Sequence, residues 1–209
     1  MNEFHTRMQS YISDKKFHSL ASHEAVDEFV TLLEESGYKF IACDFDATMI
    51  ELHSGGYVNP DVDKDVLESV TPDFKSLAKR LKTSPISLAI VTFSDAVHVK
   101  GHPKYISGEE MVHAALKHSD CDADIAQVYA FYPRFWDSPK MYSKLGLDKP
   151  MPLRKEYHLK RICADFDVKL EEIILIDDDI ENCKGAKALG ATALYVTGEG
   201  FKLKEVELL

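Results

Sequence analysis

Apolar residues along this chain follow two alternating rhythms. Short runs that are apolar at almost every position fall at residues 40–44, 86–93, 125–131, 173–176 and 191–196. Runs this short and this uniform predict strands buried on both faces. Between them, apolar positions recur every three or four residues, the spacing of a helix with one buried face. Residues 22–36 place Val26, Phe29, Val30 and Leu33 on one face and stop at Gly37. Residues 63–81 carry Val66, Leu67, Val70, Phe74, Leu77 and Leu81, with Pro72 as a break or kink. Ser107 and Glu110 have capping-box spacing ahead of a helix to residue 117, and further helices are predicted over 155–166 and 182–189. Strands alternating with helices predict an α/β fold, a doubly wound, Rossmann-like parallel sheet covered on both faces.

The remaining segments lack a clear period. Roughly the first 20 residues read as a loosely ordered or peripheral extension. Residues 51–60 form a glycine-containing loop. Residues 132–154, rich in proline, aromatic and basic residues, read as one long loop. A chain of 209 residues is the size of one domain. The expected division is residues 1–38 as an extension with a helix packing on the core, and residues 39–209 as the main domain.

Composition narrows the function classes. An apolar share of 45% supplies a real core, and a formal net charge of −10 argues against a nucleic-acid or membrane-surface partner. No window approaches the ~20 apolar residues of a membrane-spanning helix. The N-terminal residues lack the apolar stretch of a signal peptide. Cys43, Cys121, Cys163 and Cys183 share no CxxC spacing, so a reduced, cytoplasmic protein is expected. His98 and His102 have finger-like spacing but no accompanying thiolate pair, so zinc is not expected.

The chemistry concentrates at strand ends. The first predicted strand runs into Asp44-Phe45-Asp46-Ala47-Thr48, two carboxylates spaced i, i+2 and then a threonine. The second ends in Thr92-Phe93-Ser94, presenting hydroxyls. The helix starting near Lys155 offers a cation, and the fourth strand ends in Asp177-Asp178-Asp179. Carboxylates from two strand ends make an oxygen-rich site suited to Mg²⁺. A lysine and a hydroxyl beside it would grip a phosphoryl group, whose transfer needs positioning and charge neutralisation.

These motifs resemble those of the haloacid dehalogenase superfamily, DxDxT phosphatase type, and in particular its capless magnesium-dependent phosphatases. The first motif is met by Asp44 to Thr48 and the second by Thr92. The third is met by Lys155, with Lys160 as competitor, and the fourth by Asp177-Asp178 with Asn182. The resemblance spans residues 39–197 and implies a Mg²⁺-dependent phosphomonoester hydrolase acting on a phosphorylated small molecule or phosphoprotein. It implies Asp44 as the nucleophile that forms an aspartyl-phosphate and Asp46 as general acid and base. Thr92 and Lys155 would hold phosphoryl oxygens. The metal ligands would be Asp44, the Asp46 carbonyl and Asp178, with Asp177 as a ligand or just behind it. Dehalogenases of the superfamily lack an acid at the position of Asp46, and its transport ATPases carry threonine there. The short spacings between motifs imply a capless or minimally capped member. Arg134, Trp136, Lys140 and Arg154 are then candidates to line the entrance for an anionic leaving group. The competing readings are a receiver-like or non-catalytic phosphate-binding signalling domain, and a phosphomutase.

Overall fold

The computed structural model describes residues 3–14 and 16–209. Its centre is a six-stranded sheet of β1 (Phe40–Cys43), β2 (Ser87–Thr92), β3 (Ile125–Ala130), β4 (Ile173–Asp177), β5 (Thr192–Val196) and β6 (Val206–Leu208), in the order β3-β2-β1-β4-β5-β6. Every pairing is parallel except the last. The chain runs outward from β1 to β3, then returns to lay β4 on the other side of β1. That reversal puts a topological switch point, where ligands bind in open α/β sheets, between the carboxyl ends of β1 and β4.

The central strands are apolar throughout because both faces are covered. Ile41, Cys43, Leu88, Ile90, Ile174 and Ile176 face one core. That layer holds α1 (Glu3–Ser13), α2 (Lys16–Ser19), α3 (Ser22–Glu35), α4 (Lys64–Leu67), α5 (Pro72–Leu81) and α6 (Gly108–His118). The alternate residues Phe40, Ala42, Ala89, Val91, Ile173 and Leu175 face the other core. There they meet α8 (Glu156–Phe166) and α9 (Ile180–Leu189). Among the described residues no helix is long and apolar enough to cross a membrane.

Several expectations change in detail. The helix expected over 63–81 is two helices, α4 and α5. The second starts with Pro72 in its first turn, where the missing N–H costs nothing, and the Thr71 hydroxyl accepts from Phe74 N (3.2 Å). The helix α6 starts where expected, but the Ser107 side chain makes no capping bond. The N-terminal stretch is helical and built in: Phe4, Met8 and Phe17 are fully buried in the core. Residues 1, 2 and 15 of that stretch lie outside the described residues. The stretch 132–154 contains a 3₁₀ turn at Pro133–Phe135, α7 (Pro139–Tyr142) and a second 3₁₀ turn at Ser143–Leu145. The strand β6 was not foreseen; it is short, charged in its surroundings, and among the described residues it pairs only with β5.

Candidate active site

The parallel register fixes which strand ends meet. Cys43 lies opposite Ile176 in β4 and Ile90 in β2. The next residue, Asp44, donates its backbone N–H to the Ile176 carbonyl (2.9 Å). Asp44 therefore emerges beside Asp177, the last residue of β4, and close to Thr92, the last residue of β2.

The backbone after Asp44 turns sharply. Ala47 adopts left-handed angles (φ 49°, ψ 14°), a conformation that costs a non-glycine residue roughly 1–2 kcal/mol. Tertiary contacts hold it: the Ala47 carbonyl accepts from Gly200 N (3.1 Å) and the Thr48 carbonyl from Phe201 N (2.8 Å). Gly200 itself has φ 76°, and a Cβ there would meet Thr71 Cγ2 at 2.4 Å, so only glycine fits this clamp. The buried Thr48 hydroxyl donates to Asp178 Oδ1 (3.4 Å), joining the turn to the end of β4.

Lys155 precedes the first residue of α8 and points under the sheet edge. It is 1% exposed, and its Nζ donates to Asp44 Oδ1 and to the Val91 carbonyl, each at 2.7 Å. It also sits 3.9 Å from the Phe93 ring centroid. Lys160, the competing lysine, is exposed on α8. Beneath Lys155, the fully buried His158 donates from Nε2 to the Thr92 carbonyl (3.3 Å). Burial and the adjacent lysine push its pKa well below the usual imidazole value, so it is neutral.

Three carboxylates crowd the β1–β4 edge. One ligand oxygen from each of Asp44, Asp177 and Asp178 lies within 4.8 Å of the others. Burial raises the Asp44 pKa to about 6 against the pull of Lys155, and Asp46 and Asp178 add to the rise. Burial and then the Asp44 charge push Asp177 well above the carboxylate range, and burial also raises Asp178. One lysine against this cluster leaves a deficit of positive charge, and hard carboxylate oxygens at this spacing fit a divalent cation such as Mg²⁺. Asp177 is fully buried and accepts from Asn182 Nδ2 (3.0 and 3.2 Å) and Asp179 N (2.9 Å). Asp178 is half-buried and borders the cavity. Asp179 caps α9, accepting from Glu181 N (2.8 Å).

Asp46 stands apart from that cluster. Its Oδ1 accepts from Ser54 N (2.6 Å) and its Oδ2 from the Ser94 hydroxyl. It borders a cavity of about 230 Å³ together with Asp44, Thr92, Lys155 and Asp178. His53, Phe93, Asp179 and Asn182 complete that wall. Sequence reasoning missed Ser54 and His53; their one signal was a position in the loop that follows the DxDxT turn. It noted Ser94 only as a hydroxyl and did not foresee its bond to Asp46. Cys43, beside the nucleophile candidate, has its thiol pKa pushed up by burial, and its Sγ donates to the Asp44 carbonyl (3.2 Å).

The four residues expected at the entrance are elsewhere. None of Arg134, Trp136, Lys140 and Arg154 borders this cavity. Arg154 is held by Glu181 (2.7 Å), and from the same loop Tyr132 and Phe135 line an adjoining cavity.

No family model and no curated protein matches the chain. Solved structures do. A D,D-heptose 1.7-bisphosphate phosphatase from B. bronchiseptica, complexed with magnesium and phosphate, is 14% identical, covering 80% of this chain and 94% of its own, with a TM-score of 0.51. A D,D-heptose 1,7-bisphosphate phosphatase from Burkholderia Thailandensis is 12% identical (73% and 74% covered, TM-score 0.42). A HAD family enzyme from Bacteroides thetaiotaomicron, in complex with magnesium and inorganic phosphate, is 16% identical (76% and 94% covered, TM-score 0.40). The likeness to the B. bronchiseptica enzyme establishes a shared fold, the Rossmann-like core also expected from the motifs.

Proposed function

We propose that this chain is a haloacid dehalogenase-type phosphatase, a Mg²⁺-dependent phosphomonoester hydrolase that works through an aspartyl-phosphate. The observation that carries the reading is the buried Asp44–Lys155 pair at the switch point, with Asp177 and Asp178 on the adjacent strand end and Asp46 within the same cavity wall. The magnesium and phosphate bound by the B. bronchiseptica enzyme, which shares the fold, support it.

Asp44 and Asp178 would hold the Mg²⁺, with Asp177 fixed behind them by Asn182. The cation would supply charge neutralisation for the carboxylates and the phosphoryl oxygens. Asp44 Oδ1 is held by Lys155, which leaves Oδ2 to attack phosphorus. A P–O bond forms to Asp44 as the P–O bond to the leaving alcohol breaks, and Asp46 gives its proton to that oxygen. Water then attacks the same phosphorus, Asp46 takes a water proton, the Asp44–phosphorus bond breaks, and inorganic phosphate leaves. Lys155 and Thr92 steady the phosphoryl oxygens throughout. The proton-handling Asp46 separates this reading from a phosphate-sensing receiver domain.

The test is hydrolysis of a generic aryl phosphate with Mg²⁺, with EDTA, and by Asp44→Asn. Metal-dependent turnover that vanishes in a folded variant is expected. Turnover retained by Asp44→Asn refutes the assignment.

A further inference from the structure

A second cavity, of about 330 Å³, opens beside the phosphoryl pocket, and the two share Asp46, His53 and Phe93 as common wall. Its other walls come from three separate segments. Tyr132 and Phe135, edge to face at 5.3 Å between ring centroids, come from the turn after β3. Ala96 and His98 follow β2, and Gly56 comes from the loop after the DxDxT turn. Gly56 has φ 95°, a backbone conformation that strains any L side chain, and a Cβ there would sit in ordinary contact with Ala96 Cβ (4.0 Å).

Two properties decide what fits. The lining contains no lysine or arginine, and its two acids are Asp46 and the buried Asp95, whose Oδ1 is held by Lys100 (2.8 Å). A second phosphate or a carboxylate placed here would lose its hydration against like charge. Apart from Ser94, His53 and His98, which can hydrogen-bond a hydroxyl group, the walls are aromatic and small apolar side chains, suited to the face or edge of a planar ring. A volume near 330 Å³ is at the lower end for ligand pockets, room for one substituted ring rather than an extended chain.

The position is set by chemistry. The leaving oxygen must come within hydrogen-bond reach of Asp46 to receive its proton. The organic group then continues into the space that Asp46 also borders. We infer that this cavity is the leaving-group site and that it selects monoesters of flat, uncharged alcohols, phenols foremost. The inference rests on the phosphatase reading above.

The experiment separates the two. The protein with Mg²⁺ is titrated calorimetrically with inorganic phosphate and with non-hydrolysable phosphonate isosteres of phenyl phosphate and glycerol 3-phosphate. The phenyl isostere is expected to bind at least about tenfold tighter than the glycerol one, because one ring is buried in apolar surroundings. Phe135→Ala or, as an independent variant, Tyr132→Ala is expected to remove most of that preference. Equal affinity for the two isosteres, with inorganic phosphate still binding, overturns the leaving-group site and leaves the phosphatase reading standing. A preference unmoved by both variants overturns it as well. Failure to bind any of the three overturns both readings.

Discussion

Lys155 and Asp44 lie 111 positions apart in the chain and 2.7 Å apart in the fold, and both are buried. Among the described residues, the lysine is the only cation bonded to a site that holds Asp44, Asp177 and Asp178 together. Its removal should therefore be felt twice. Lys155→Met should cost about 3 kcal/mol of metal-free stability, because it strands buried carboxylates without their partner. On the proposed function it should also lower turnover by about a hundredfold or more, because the charge proposed to steady the phosphoryl oxygens is gone. Chemical denaturation and steady-state kinetics on the same preparation check both. A variant within measurement error of the parent in stability would show that Asp44 does not depend on this pair.

The acid cluster also sets a pH dependence whose sign is the reverse of the usual carboxylate case. Asp44, Asp177 and Asp178 all have pKa values raised in the fold, Asp44 from 3.8 to about 6. Between those values the folded protein binds more protons than the unfolded chain, so stability falls as pH rises. Their contribution is complete below pH 3.8 and is lost as the pH passes about 6 for Asp44. Melting of the metal-free protein should therefore show this cluster opposing the fold at neutral pH. Mg²⁺ should raise the melting temperature at neutral pH and lose that effect in acid, where protons hold the oxygens. Equal Mg²⁺ stabilisation on both sides of the transition would place the metal elsewhere.

Asp178 and Asp177 should respond differently to the loss of their charge. Asp178 borders the cavity, and its carboxylate accepts the long Thr48 bond and its own backbone N–H. Asp178→Asn should leave metal-free stability at neutral pH unchanged or slightly higher, while abolishing the Mg²⁺-induced rise. Asp177 is fully buried and accepts from Asn182 and Asp179. Asp177→Asn sets two amide NH₂ groups against each other and should destabilise by about 1–3 kcal/mol. Thermal melts of both variants with and without Mg²⁺ test the contrast, and identical behaviour would dissolve it.

The strand ends were legible in the sequence because the grammar is simple. An apolar run with both faces buried leaves its polar residues at the edge, and in a parallel sheet the carboxyl ends share one edge. That logic located Asp44, Thr92 and Asp177 before any coordinates. The preference for Lys155 over Lys160 came from the family resemblance, whose usual spacing to the last acidic strand fits Lys155; Lys160, five positions further along, lies more than a turn away. What escaped were contacts made by loops. Ser54 reaches Asp46 through its backbone N–H, which no side-chain pattern encodes. The short helices after Pro133 and Pro139 were signalled only by proline in a first turn. Arg134 and Arg154 were expected to face the site on charge alone. Glu181, far off in sequence, holds Arg154 instead.

The N-terminal helix offers a prediction about the fold. Phe4 and Met8 stand four apart in α1, on the same face, and both are 0% exposed in the core that includes Phe29 and Tyr38. Their spacing was visible, but the surrounding polar residues made the segment look peripheral. Met8→Ala should cost about 2–5 kcal/mol, as for other buried large-to-small changes. Deleting residues 1–20 should be more damaging still. A truncated protein with unchanged melting would show that α1 is an accessory after all.

Asp46 allows the sharpest test of the proton path. Both of its oxygens are held, one by Ser54 N at 2.6 Å and one by the Ser94 hydroxyl, which aims it along the cavity wall. A general acid matters most when the departing oxygen is a poor leaving group, because a stable phenolate leaves without a proton whereas an alkoxide does not. Asp46→Asn should therefore lower turnover of an alkyl phosphate by about 10²–10⁴-fold, and that of a nitrophenyl phosphate far less in the step that expels the alcohol. Burst kinetics should reveal the complementary defect. The aryl ester would phosphorylate Asp44, and the phosphoenzyme would then persist, because the base that activates water is missing. Ser94→Ala should show a milder form of both effects, since Ser54 still holds the other oxygen. An Asp46→Asn variant that slows every ester equally, with no accumulation of phosphoenzyme, would assign Asp46 to positioning and remove it from proton transfer.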